Sequence, residues 1–497
     1  MGIVRRQATY SGLISIIGFA IGAVNILFIY PRLMTKDQLG LTRLIMEASM
    51  MIAALCSFGV TGIINKFFPY YRQHSQGKKN DLAGLSLLLC LIGFVIFLFV
   101  LFFYKDFIIR KFGGKSPLFV PYYYLLIPFT FCYLLFMWLE TFAWGFKRSV
   151  LTNAMKDTFL RIYTTALLGL LAVGVIKFDG FMIGFSLSFA LPVLIIWYVL
   201  KKQDKFSLSF RPSKLTQRFR KPIRSFFAYA VAGIVLGMLI KTMDTFFLAG
   251  FSKEGLGDVA IFTIATYIAM IMDIPFRSVV ASSTPILAES WKNKDHKNII
   301  HIYSKSTLNL LIAGFFLFGC MWINMHNMPH IFPAEYKIEK TLILVMAIYK
   351  LIDLGTGLNA HVIATSNFWK FEFYTTIIVS ILALFINGIL IKNIGLMGAA
   401  YGTLITTCIY NLTRFIFLWA KFGLQPFSWK NLLLLFVAAA SIYIFSFLPV
   451  LGNWVLDGIY RCLIFAVIYI GLIWVLNISD DLKVITRAVL RKVKLIK

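Results

Sequence analysis

Fourteen stretches of about twenty apolar residues, divided by short polar turns, decide what this chain can fold into. They run near 9–31, 42–65, 82–104, 119–144, 153–175, 180–200, 223–249, 257–287, 302–325, 341–365, 371–391, 396–420, 430–449 and 454–477. In hydrocarbon every backbone amide needs a partner within its own segment, so each run is expected to be a helix. The expectation is an all-α polytopic membrane protein with about 14 transmembrane helices. Charged residues are only 14% of the 497 and hydrophobic residues 59%, so no segment is polar enough to wrap a water-soluble core. The first apolar run follows Met1 to Arg6 and continues through Ile29, beyond the core of a signal peptide, and reads as a retained first span.

The net charge of +28 tests this topology. With fourteen spans and the N-terminus inside, cytoplasmic segments carry about 32 of the basic residues and the opposite loops about 12. That bias fits the positive-inside rule with both termini cytoplasmic, and it makes anionic membrane lipids the natural partners of the basic excess. No soluble basic domain exists, so nucleic acid is not expected as a partner. The six cysteines, at 56, 90, 132, 320, 408 and 462, form no CxxC pair and suggest neither a disulfide framework nor a metal site.

One polar stretch is long enough to be a linker, Lys201 to Arg224, with nine Lys or Arg among its residues. The sequences on its two sides resemble each other. Thr35-Lys36-Asp37-Gln38-Leu39-Gly40 is matched by Ser252-Lys253-Glu254-Gly255-Leu256-Gly257 at an offset of 217. Ile176-Lys177 and Gly180 are matched by Ile391-Lys392 and Gly395 at an offset of 215, and Pro69 by Pro285 at 216. Three nearly constant offsets in the same order indicate an internal duplication. Six spans separate equivalents, an even number, so the halves keep one orientation, which makes a parallel repeat of the kind found in alternating-access transporters. The expected organisation is a six-helix bundle over 1–200, a basic cytoplasmic linker over 201–224, a second six-helix bundle over 225–425, and two additional helices with a basic cytoplasmic tail over 426–497.

With these features the sequence resembles the polysaccharide-export flippases of the O-antigen and capsule type, within the multidrug/oligosaccharidyl-lipid/polysaccharide exporter superfamily. The resemblance covers nearly the whole chain. It is carried by the span count, the six-plus-six repeat with two trailing spans, the Leu39-Gly40 turn, and the stretch from Asp244 through Gly250 to Gly257. It implies a cleft between two bundles that opens inward and outward. It implies a polyprenyl-diphosphate-linked glycan as substrate, a bacterial inner membrane as location, and other polysaccharide-assembly membrane proteins as partners.

Such a cargo needs cations for its diphosphate and polar groups for its sugars. Ionisable residues inside spans cost about 2.5–3.5 kcal/mol each on insertion scales, so they default to functional candidates. In the second half Lys241 and Asp244 sit three apart, Asp273 and Arg277 four apart with the acid first, and Lys350 and Asp353 three apart, each spacing placing both groups on one helix face. In the first half Arg5, Arg6 and Asn25 belong to span one, and Arg43 and Glu47 pair in span two. Glu140 and Arg161 lie in spans four and five. Each pair equally reads as a self-neutralising structural bridge, and the list as a whole is near neutral. Asp244, Asp273, Glu140 and His361 are the candidates for coupling to Na+ or H+; no cofactor and no metal are called for. A peptidoglycan-precursor flippase and a cation-coupled drug exporter of the same superfamily are the competing transporter readings. A membrane-embedded glycan polymerase or glycosyltransferase is disfavoured by short loops without a nucleophile elbow or phosphate-cradling loop.

Overall fold

The computed structural model describes residues 2–74, 81–202, 206, 208–445, 447–479 and 481, with the side chains of 2–11, 13 and 72–74 outside that description. The expected basic tail therefore lies mostly outside the described residues. Among the described residues there is no strand. Ten helices are long and apolar enough to cross a membrane, and Leu256–Met270 with Asp273–Lys292, bent by 51°, makes an eleventh. The remaining three expected spans are residues 149–172, Lys340–Gly355 and Trp429–Phe445. The first is interrupted by a π-helical turn at Ala154–Phe159 that carries Lys156 and Asp157, and the other two are short, at 16 and 17 residues.

The chain divides into two compact units, Met1–Ile264 with Ile391–Leu396, and Ala265–Leu390 with Met397–Lys497. In the first, the Lys36–Cys56 helix packs on Leu126–Gly145 and on Lys214–Phe251. A run of apolar residues would carry span two straight on, yet it breaks at 57–59. Phe58 and Gly59 both take positive φ (44° and 71°), and a Cβ on Gly59 would meet the backbone of Ala230 and Val231. The break thus lets the Lys214–Phe251 helix close on this turn. The second half repeats the device: the eighth span bends between Met270 and Asp273. Pro69 and Pro285 lie inside the helices that follow the two breaks, Val60–His74 and Asp273–Lys292.

The basic segment expected as a linker over 201–224 is helical from Lys214 on. The reason is a buried anion. Asp81 accepts hydrogen bonds from the Ser213 amide (2.7 Å), the Ser213 hydroxyl (2.9 Å) and the Thr216 hydroxyl (2.6 Å). Ser213 meanwhile caps the new helix by accepting from the Thr216 amide. The seventh-span helix is thereby fastened to the first unit, and the packing boundary falls near 264 rather than at 224.

In the second unit, the His296–Ile323 helix packs against Lys340–Gly355 and against the trailing helices Trp429–Phe445 and Trp454–Val475. Leu434, Phe445, Phe465, Tyr469 and Ile473 form the core between the trailing pair and that helix. The tenth span is broken as well. Gly357 has φ 62°, and a Cβ there would strike the Thr307 hydroxyl. His361 therefore stands on a separate short helix, Asn359–Ala364, and not two turns further along the helix of Asp353.

Candidate functional site

Each unit contains a polar centre built into apolar helices. In the first, the chain turns π-helical at Asn25–Ile29. Asn25 there donates to the Arg161 carbonyl (3.2 Å) and accepts from the Thr165 hydroxyl (2.9 Å), so it ties the first helix to the fifth. Arg43 and Glu47 form the on-helix ion pair that their spacing predicts, at 2.6 Å, with Glu47 buried. Glu140 is also buried and lies 3.6 Å from Lys156 of the neighbouring π-helical turn. Asp244 is half-buried, and Lys241 is exposed. The side chains of Arg5 and Arg6 lie outside the described residues.

Lys241 is ten residues from the end of its helix at Phe251, a rise of about 15 Å and half of a hydrocarbon core of about 30 Å. Its ammonium makes no ion pair among the described residues.

In the second unit the charges pair between helices. Asp273 reaches Lys350 at 2.7 Å, with both side chains largely buried (16% and 12% exposed). Arg277, its expected on-helix neighbour, is exposed beside Ser278 and Ser282 on one face of the same helix. Asp353 accepts from Asn411 (3.3 Å), whose amide oxygen in turn accepts from Thr356 and Asn359 (2.9 Å each). His361 has a buried Nδ1 without a hydrogen-bond partner, and its ring stands edge-on to Phe276.

Five buried charges were missed in the sequence: Asp81, Asp258, Arg414, Asp457 and Arg461. Arg414 makes a bidentate pair with Glu372, which also accepts from Tyr410 (3.1 Å). Asp457 is fully buried and gathers Arg461 (3.0 Å), His326 (2.8 Å), Asn327 (2.8 Å) and the Leu451 amide (2.8 Å). The rule that intramembrane charges need an explanation would have found Arg414, Asp457 and Arg461, since all three lie within predicted spans.

The two duplicated turns meet each other inside the first unit. Lys36 pairs with Glu254 at 2.6 Å. Gly40 lies flush against the Leu256 carbonyl, and Gly257 lies against the side chains of Lys36 and Asp37. Thr35 and Gln38 close a reciprocal capping box at the start of the Lys36–Cys56 helix, which explains the first motif's spacing.

No family model matches this chain, and no curated protein does. Solved structures do. The lipid II flippase MurJ, in an inward closed conformation, superposes with a TM-score of 0.69 at 15% identity, over 93% of this chain and 98% of that one. An inward-facing multidrug resistance MATE family transporter of the MOP superfamily gives 0.56 at 18% identity, over 82% and 94%. The Vibrio cholerae MATE transporter VcmN gives 0.51 at 12% identity, over 83% and 94%. The protein is thus a multi-pass membrane protein with the fold that these transporters share.

Proposed function

We propose that this chain is a flippase that moves a polyprenyl-diphosphate-linked oligosaccharide from the cytoplasmic to the outer leaflet of the inner membrane by alternating access. The observation that carries the reading is how burial sorts the intramembrane charges. By count they balance. In the folded chain Glu47 and Glu140 are buried, Asp273 is taken up by Lys350, and Asp353 is held by Asn411. The cations Lys241 and Arg277 are exposed, whereas Asp244 is half-buried. An exposed cation at mid-membrane is costly against lipid, so such groups face water or an anionic cargo. Arg277 offers a bidentate fork to a phosphate and Lys241 a point charge. The exposed hydroxyls of Ser278 and Ser282 beside Arg277 suit a glycan.

The fold supports a transporter over an enzyme, and the lipid-handling member of the likeness matches 93% of this chain against 82% for the multidrug transporter. A peptidoglycan precursor carries the same diphosphate, so it is the second reading, and the cargo's sugar decides between the two.

The experiment is to delete the gene and analyse lipid-linked intermediates. A cytoplasm-facing polyprenyl-diphosphate oligosaccharide should accumulate, with a composition that identifies the cargo. Complementation with Lys241→Ala or Arg277→Ala should restore less than a tenth of the export, the loss expected when a contact of about 1.5–3 kcal/mol to a charged group is removed. Undiminished export by both variants, or no accumulation on deletion, would sink the proposal.

A further inference from the structure

The helices His296–Ile323 and Trp454–Val475 run antiparallel within the second unit, and four observations fix their register. The Tyr469 hydroxyl donates to the Ile312 carbonyl (3.1 Å). The Phe316 and Phe465 rings stack at 6.0 Å. A Cβ on Gly319 would collide with the Phe465 ring, and one on Gly458 would touch the Asn324 amide oxygen. Antiparallel neighbours keep a nearly constant sum of residue numbers, and this register brings Cys320 opposite Cys462. One amide nitrogen, Nδ2 of Asn324, touches both residues, donating to the Cys320 carbonyl (2.7 Å) and to Cys462 Sγ (3.2 Å). Both thiols are free and half-buried.

We infer that Cys320 and Cys462 form a redox-modifiable pair whose disulfide staples the Trp454–Val475 helix to the His296–Ile323 helix. Asn324 supplies a hydrogen-bond donor to a thiolate at Cys462, which makes this sulfur the attacking one. The Cys462 thiolate attacks one sulfur of an external disulfide and expels a thiolate. The Cys320 thiolate then attacks Cys462 Sγ and expels the second. The external disulfide is reduced to two thiols, which carry away the two protons, and the Cys320–Cys462 bond forms. The approach is polar: Asn324 leads to Asn327 and Asp457, and to His326, whose side chain is 31% exposed. These groups sit at the membrane face that the basic-residue bias assigns to the outside, where thiols meet oxidants. The reading does not depend on the cargo.

The test uses the purified full chain in detergent micelles, incubated with glutathione disulfide, with alkylation of the remaining thiols and peptide mass spectrometry. The expected result is a linked 320–462 peptide, with Cys56, Cys90, Cys132 and Cys408 still alkylated. The unfolding midpoint should rise and fall back with dithiothreitol. Cys320→Ser should abolish both the link and the reversible midpoint shift while Cys462 accumulates a glutathione adduct. Asn324→Leu should slow closure roughly ten-fold, the worth of one hydrogen bond to a charged sulfur. An unchanged rate would remove Cys462 as the attacking sulfur. Six alkylable thiols after incubation, or a link from either cysteine to another residue or to a second copy, would overturn the pair itself.

Discussion

Arg43 and Glu47 of the first unit meet along a single helix, and Glu140 with Lys156 is a loose pair at 3.6 Å with the lysine side chain 39% exposed. In the second unit Asp273 passes to Lys350 of another helix, Glu372 to Arg414, and Asp457 to His326 and Asn327. What the first unit lacks in charge it has in bulk. Trp138, Phe129, Phe136 and Phe142 of a single helix, and Phe181 of another, are among the largest fully buried side chains of the protein. The second unit thus gathers its helices around buried ion pairs and amide networks, while the first adds to its polar ties at Asp81 and Asn25 a single helix dense in buried aromatic side chains. The first unit should therefore be brittle to added volume and the second to removed charge.

The largest effect is expected where charge is most buried. Asp457→Ala leaves Arg461, 3% exposed, without its carboxylate, and stability should fall by about 3–5 kcal/mol. Thermal unfolding in detergent checks this, and a loss below about 1 kcal/mol would show that the trailing pair is held by its apolar core alone. Next comes the Asp273–Lys350 pair. Lys350→Ala should cost about 1–3 kcal/mol because it strands a largely buried carboxylate. The double variant Asp273→Asn with Lys350→Met should be milder than Lys350→Ala, since it leaves no buried charge behind. A double variant worse than the single one would assign the pair a role beyond neutralisation.

How far the sequence reveals this follows from the same contrast. All fourteen apolar runs became helical, because span length and hydropathy are local properties. The breaks at 57–59, 271–272 and 356–358 were not legible, since the apolar runs continue across them on both sides. At two of them a glycine of positive φ lies where a neighbour leaves no room for a Cβ, Val231 against Gly59 and Thr307 against Gly357. Of the candidate site, the i,i+4 pair Arg43–Glu47 could be read because both partners share one helix. The same rule could not show that Asp273 bridges to Lys350, 77 residues away and brought close only by packing. Cys320 and Cys462 were unreadable for the same reason, while the duplicated turns were recognised as similar without any sign that they touch.

Those turns carry the comparison to a finer scale, because one motif occurs twice with different surroundings. A Cβ on Gly40 would meet the rigid Leu256 carbonyl, whereas one on Gly257 would meet the flexible end of the Lys36 side chain and the Asp37 carboxylate. Gly40→Ala should therefore cost about 1–3 kcal/mol through overpacking, and Gly257→Ala, although buried, should cost less than about 1 kcal/mol because the side-chain ends it would meet can move aside. Equal costs would mean that the two turns are equally confined and that the duplication extends to their packing.

The smallest effect belongs to the bridge between the turns. Lys36 and Glu254 are 25% and 52% exposed, so water and salt screen their attraction, and ordering two long side chains opposes it. A double-mutant cycle over Lys36→Ala and Glu254→Ala should give a coupling of about 0.2–1 kcal/mol that shrinks as salt is raised. The charge-swapped pair, Lys36→Glu with Glu254→Lys, should recover only part of it, because Lys36 also acts on the carboxylate of Asp258, which a glutamate would repel. A coupling above about 2 kcal/mol, insensitive to salt, would instead place this contact among the desolvated pairs that characterise the second unit. The two duplicated turns would then be held together by charge rather than by the close fit of Gly40 on Leu256.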